Sequence, residues 1–173
     1  MSLRHKPHIS ALLVFINSLI SIGIVALLAW GSHNPLLFPS LGPTVFLQFY
    51  SPLLKTASPK NTILGHLIGV ICGYLALVVF GLTDAPAAMV TGISLARVGA
   101  AAFSLAATSS LMIAFDVPHP PAGATTLIVS LGIMTEPFDL FILMIAVIIL
   151  SYQSWIINHL TGFPFPIWSE PKE

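Results

Sequence analysis

The chain has 173 residues, of which 56% are hydrophobic and 7% charged, with a formal net charge of zero and a mean hydropathy of +0.96. A soluble domain carries about 25% charged residues to wet its surface, so the outer surface of this chain faces a lipid bilayer. The same composition excludes a disordered chain and a nucleic-acid binder, and the lone Cys72 excludes a disulfide framework.

Taken in order, the first apolar run extends from about Ile9 to Trp30, long enough to cross ~30 Å of hydrocarbon as a helix and too long for a signal-peptide core. Pro35 to Leu54 is apolar but irregular: prolines and a glycine forbid a regular helix at its start, and about three helical turns follow. Asn61 to Leu82 and Ala87 to Phe115 are the second and third regular spans. Pro118 to Met134 repeats the irregular pattern, and Pro137 to Asn158 is the fourth span. Gly162 to Trp168, rich in proline and aromatics, reads as an interfacial segment. The rest is short loops and two tails, so one membrane domain over residues 1–173 is expected.

Basic residues orient the crossings. Arg4 and Lys6 place the N-terminus in the cytoplasm. If the first irregular segment crosses rather than dips and returns, Lys55, Lys60 and Lys172 also fall inside, Asp116 with them, and Asp84, Glu136 and Asp139 outside. Six crossings are therefore expected, two through broken helices, with both termini cytoplasmic.

The irregular segments align at an offset of 81 residues: Phe38-Pro-Ser-Leu-Gly-Pro-Thr-Val-Phe-Leu47 falls on His119-Pro-Pro-Ala-Gly-Ala-Thr-Thr-Leu-Ile128, matching Pro39 with Pro120, Gly42 with Gly123 and Thr44 with Thr125. The same offset lays the first span on the third and the second on the fourth. The expected architecture is an all-α polytopic membrane protein with four regular transmembrane helices and two broken half-helix segments, arranged as inverted 3+3 repeats over about 9–82 and 87–160. Broken helices of this kind place a ligand at the midplane. Each half-helix start points free N–H groups and about half a positive charge inward. Gly42 and Gly123 leave the backbone open, while Ser40, Thr44, Thr125 and Thr126 supply hydroxyls. The competing reading is that the prolines and glycines only make tight helix crossings.

Arg97 falls about ten residues into the third span, ~15 Å deep, with no acid at that depth. It is expected to be the counter-charge of an anion beside the two half-helix starts, or else to bond the free carbonyls of the broken segments. Asn17 falls opposite Val98 in the repeat and offers an amide at the same depth, or an interhelical hydrogen bond. His119 opens the second broken segment and either titrates or donates to a substrate, or caps the backbone. His66 is a pH sensor or an interfacial residue. Gly65, Gly69 and Gly73, and separately Gly92, Ala96, Ala100, Ser104 and Thr108, form small-residue ridges for helix packing. No motif for an enzyme, a metal or a cofactor is present.

The His119-Pro120-Pro121-Ala122-Gly123-Ala124-Thr125-Thr126 string, with its echo Phe38-Pro39-Ser40-Leu41-Gly42-Pro43-Thr44, resembles the HPP family of integral membrane proteins over nearly the whole chain. The resemblance implies four transmembrane helices, which fits the regular spans, and transport of nitrite, in which some plastid and cyanobacterial members are implicated. Other members carry CBS domains, for which this chain is too short. With no transit-peptide-like extension, a prokaryotic inner membrane is expected. The expected function is a small-anion transporter or channel, nitrite first, binding at Arg97, Gly42, Thr44, Gly123, Thr125, Thr126, His119, Asn17 and Ser40. The alternatives are a conduit for water or a neutral solute, and a structural or sensory subunit without transport. A thin bundle of six crossings also suggests a homo-oligomer.

Overall fold

The computed structural model describes residues 7–169, so Arg4, Lys6 and Lys172, on which part of the topology rests, lie outside the described residues. These residues form α1 (Pro7–Ser32), α2 (Leu41–Tyr50), α3 (Pro59–Val79), α4 (Ala88–Thr91), α5 (Leu95–Ala114), α6 (Ala122–Ser130) and α7 (Pro137–Leu160), with no strand among them. Four helices, α1, α3, α5 and α7, are long and apolar enough to cross a membrane. The 26 residues of α1 rise about 39 Å, enough to span the hydrocarbon with some tilt. Its Leu12, Phe15, Leu19 and Leu27 stay exposed, as a lipid-facing side should.

Helix boundaries follow local chemistry. Ser58 caps α3 by accepting the Asn61 N–H, and Pro59 takes the first turn, where no N–H is needed. The α3 helix stops at Val79, short of the expected Leu82, because Gly81 turns into the left-handed region (φ 63°) and Leu82 N–H bonds back to the Leu77 carbonyl. The third span is also shorter than expected. Residues 88–91 make one turn, Gly92 breaks it at φ 81°, and Ser94 caps a new helix by accepting the Arg97 N–H. Gly92 thus leaves the small-residue ridge, while Ala100, Ser104 and Thr108 remain fully buried on α5.

The two short helices pack unequally. On α3, Gly65, Gly69 and Gly73 face α6 so closely that an added Cβ would lie 2.7 Å from His119 Cβ, 2.8 Å from the Ala122 carbonyl and 2.7 Å from Val129 Cβ, respectively. These pairings advance together, so α6 runs parallel to α3 with backbone against backbone. Near the other short helix, Asn158 of α7 donates to the Gln48 carbonyl of α2 (3.1 Å), and Ser10, Asn17, Tyr50, Ser51 and Phe163 line one cavity. The end of α2 therefore lies with the start of α1 and the end of α7, so the chain between Ser32 and Ser51 traverses the bundle. At that same end Lys55 and Asp116 form an ion pair between the connections that follow α2 and α5. The segment after α7 folds back, its Trp168 carbonyl accepting the Lys60 N–H (2.9 Å).

Candidate functional site

Prolines set the starts of the two short helices. Pro39 and Ser40 precede α2, and Pro120 and Pro121 precede α6. The expectation of free N–H groups at these starts is not met. Leu41 and Gly42 N–H bond to the Phe38 and Pro39 carbonyls, and Pro43 has no N–H. Ala122, Gly123 and Ala124 N–H likewise bond to His119, Pro120 and Pro121. Tight turns forced by proline engage the donors that a regular helix start leaves open. Nor do the glycines open onto a buried site: Gly42 lies in an outward apolar groove with Pro43, Phe46, Pro120, Pro121 and Ala124, and a Cβ on Gly123 would meet Leu105 at 3.2 Å.

Side chains converge instead. Ser40, Thr44, His66, His119 and Thr125 are all fully buried. Ser40 and Thr125 hydroxyls lie 2.7 Å apart. His66 sits between the two threonines that the 81-residue offset matches, with Nδ1 2.7 Å from Thr125 Oγ1 and Nε2 3.1 Å from Thr44 Oγ1. His119 Nε2 is 3.2 Å from Thr44 Oγ1, its Nδ1 is 2.7 Å from the Thr56 carbonyl, and the two imidazole centroids are 4.9 Å apart. Thr44 Oγ1 also reaches the Ser40 carbonyl at 3.0 Å.

The tautomers follow from these partners. A carbonyl can only accept, so His119 carries its hydrogen on Nδ1 and a neutral ring presents a lone pair at Nε2. Thr44 is the hydroxyl in reach, and its one hydrogen has two acceptors, His119 Nε2 at 3.2 Å and the Ser40 carbonyl at 3.0 Å. Thr44 then accepts from His66 Nε2–H, which leaves His66 Nδ1 to accept from Thr125, and Thr125 to accept from Ser40. With the Thr44 hydrogen on His119, the bonds form one series in a single direction that ends on the Thr56 carbonyl.

Arg97 lies elsewhere. It is the third residue of α5, not ten residues into a longer helix, and its guanidinium donates to the carbonyls of Ser130, Ala85 and Pro86, each at 3.0 Å. Ser130 ends α6, so Arg97 stands at the carbonyl-bearing end of that helix, roughly 12 Å from its start. The placement beside two helix N-termini is thereby corrected: a guanidinium is stabilised where helix carbonyls lack N–H partners. Asn17 is not brought to Arg97 either; it lines the cavity between α1 and the end of α2. Thr126 bonds Thr108 of α5 (2.9 Å) and the Ala122 carbonyl (3.1 Å), one helix face away from the imidazoles.

Sequence reasoning singled out His119 for this cluster and undervalued His66. It did not mark the neighbouring polar layer, where Gln48 donates to Thr62 (3.3 Å) and Asn61 to the Pro118 carbonyl (3.2 Å). The available signal was a polar and small stripe on α3, Ser58, Thr62, His66, Gly69 and Gly73, at spacings of four and three. Among the described residues no group of three His, Cys, Asp or Glu side chains is placed to hold a metal ion.

Fold and site together define a polytopic α-helical integral membrane protein, in which two short helices preceded by prolines enclose a buried, carboxylate-free cluster of hydroxyls and imidazoles. The family model "HPP, transmembrane region" matches residues 4–166. The chain belongs to the HPP family of membrane proteins. No curated protein and no solved structure matches it.

Proposed function

We propose that the protein is a non-enzymatic transporter or channel for a small inorganic anion, with nitrite as substrate, bound between α2 and α6 at the cluster of Ser40, Thr44, Thr125, His66 and His119. The observation that carries this reading is the convergence of both proline-preceded helix starts on one buried cluster that has several donors and no carboxylate. Donors without a competing anion, in a low-dielectric setting, favour negative charge. Arg97 acts in this reading as a structural residue. The choice of nitrite rests on the family resemblance.

The reading includes two inverted repeats. Support comes from the offset of 81, which carries the bounds of α2 onto 122–131, against Ala122–Ser130 for α6, and those of α3 onto 140–160, against Pro137–Leu160 for α7. The Gly65, Gly69 and Gly73 ridge maps onto Ala146, Leu150 and Ser154, all fully buried. The protein is placed in a prokaryotic inner membrane with both termini cytoplasmic, as a homo-oligomer.

Nitrite uptake into proteoliposomes tests the assignment. Thr44→Val and Thr125→Val should each lower uptake about tenfold, the effect of losing one hydrogen bond to a charged ligand. Uptake equal to that of protein-free vesicles overturns it. A conduit for a neutral solute is the second reading, favoured by the absence of a fixed charge in the cluster. Osmotic shrinkage without an anion gradient distinguishes the two.

A further inference from the structure

An anion at the α2/α6 cluster would lack a fixed positive partner, because Arg97 is held by three carbonyls at the far end of α6. The titratable groups on the elements around the cluster are few. The α6 sequence has none, α2 has only Tyr50 at its last residue, and α5 has only Arg97. On α3, Lys60 lies in the first turn, and Cys72 and Tyr74 lie beyond His66 toward the other end; α7 brings Asp139, Tyr152 and His159. Lys55 and Asp116 pair with each other on the connections. Within the cluster itself, only His66 and His119 can take up a positive charge.

We propose that Ser40, Thr125, His66, Thr44 and His119 form a proton relay, and that a proton held on His119 accompanies the anion through the protein. The proposal rests on the anion reading above. The successive separations, 2.7, 2.7, 3.1 and 3.2 Å, are hydrogen-bond distances throughout. The Thr56 carbonyl fixes the hydrogen on His119 Nδ1, and the series runs toward it when Thr44 donates to His119 Nε2.

The step balances. A proton from the conjugate acid of the anion, or from hydronium, forms a bond to Ser40 Oγ, and Ser40's own hydrogen passes to Thr125 Oγ1. Thr125's hydrogen passes to His66 Nδ1, and His66 releases its Nε2 hydrogen to Thr44 Oγ1. Thr44's hydrogen passes to His119 Nε2. Each intermediate group gains one hydrogen and loses one, no electrons change hands, and the charge comes to rest on the His119 imidazolium. His119 Nε2 is then a donor to Thr44, whose hydrogen, received from His66, points back at the bare His66 Nε2. The Ser40 carbonyl, 3.0 Å away, is the other acceptor for that hydrogen. Thr44 is thus the positioning residue that switches between the two states. On release the hydrogens step back along the same series to Ser40, which returns every group to its starting tautomer. An anion driven into a negative-inside compartment moves against the membrane potential, and a proton moving with it cancels that charge.

Two measurements on the full chain decide the matter. In proteoliposomes containing a fluorescent pH indicator, with protein-free vesicles run in parallel, nitrite uptake should acidify the lumen and be insensitive to a potassium–valinomycin diffusion potential. His119→Gln should lower the proton-to-nitrite ratio at least tenfold and make the residual uptake follow the imposed potential. Wild-type nitrite uptake that follows the potential without acidification overturns the relay and leaves the anion reading standing. No nitrite uptake above the protein-free vesicles overturns the anion reading and, with it, the coupling. The second measurement needs no variant: histidine 15N NMR of the wild-type protein should show His119 as the Nδ1–H tautomer and His66 as the Nε2–H tautomer. The opposite tautomers at both positions overturn the relay whatever the flux.

Discussion

At one end of α6 the Arg97 guanidinium donates to three carbonyls, groups that can only accept. At the other end, Ser40, Thr125, His66 and Thr44 are groups that both donate and accept, and Thr44 has two acceptors, the Ser40 carbonyl and His119 Nε2, within 3.2 Å for one hydrogen. The first arrangement has a single solution and is a lock. The second has alternatives that differ only in where hydrogens sit. Buried polar groups are costly unless paired, and the two ends meet that requirement in ways that suit anchoring and transfer respectively.

The largest expected effect breaks the lock. Arg97→Ala leaves three carbonyls without their donor and should cost about 4 kcal/mol of stability in detergent unfolding. Arg97→Lys should recover only part of it, since an ammonium lacks the planar fork that reaches Ser130 on one side and Ala85 and Pro86 on the other. A cost for Arg97→Ala under about 1 kcal/mol would mean that other donors reach those carbonyls, and the ends of α6 would not differ as described.

A smaller effect moves both ends together. Gly69→Ala puts a Cβ 2.8 Å from the Ala122 carbonyl and 3.0 Å from Thr126 Oγ1, and should cost about 2 kcal/mol by overpacking. Gly23→Ala, where nothing lies within 4 Å of the added atom, should change stability by less than about 0.5 kcal/mol. Equal effects at the two positions would remove the argument that α6 seats directly on the α3 backbone.

The smallest effect concerns the connection leading to His119. Hydrogen bonding and charge attraction from Lys55 hold the Asp116 carboxyl below its ordinary pKa, with a lesser contribution from Lys60. A lowered carboxyl contributes stability above its unfolded-state pKa and loses it as pH falls through the folded-state value. The advantage of wild type over Asp116→Asn should therefore exist at neutral pH and vanish in acid below the carboxylate range. It should be close to the detection limit of thermal unfolding, because the pair is exposed. Asn tolerates the left-handed backbone at this position (φ 56°), so the variant isolates the charge.

Much of the frame was legible in the residues. Pro39 and Pro120 located the two breaks, and hydropathy located four long helices. The long third run concealed a helix start, because Gly92-Ile93-Ser94 continues the apolar pattern while Gly92 turns and Ser94 caps. Arg97 therefore looked deep when it lies in a first turn. Its partners are backbone carbonyls, which no residue type advertises. His66 was hidden for a different reason: Thr44 and Thr125 lie 22 and 59 residues from it, so only the tertiary fold brings them to its two nitrogens.

The nine residues of α6 rise only about 13 Å, less than half the ~30 Å hydrocarbon thickness. The chain on either side of α6 is non-helical, and its peptide groups would ordinarily require hydration. With three carbonyls from two separate stretches satisfied by one side chain, Arg97 serves as a covalently tethered solvent shell. It lets the backbone depart from helix at Ala85, Pro86 and Ser130 with those carbonyls paired.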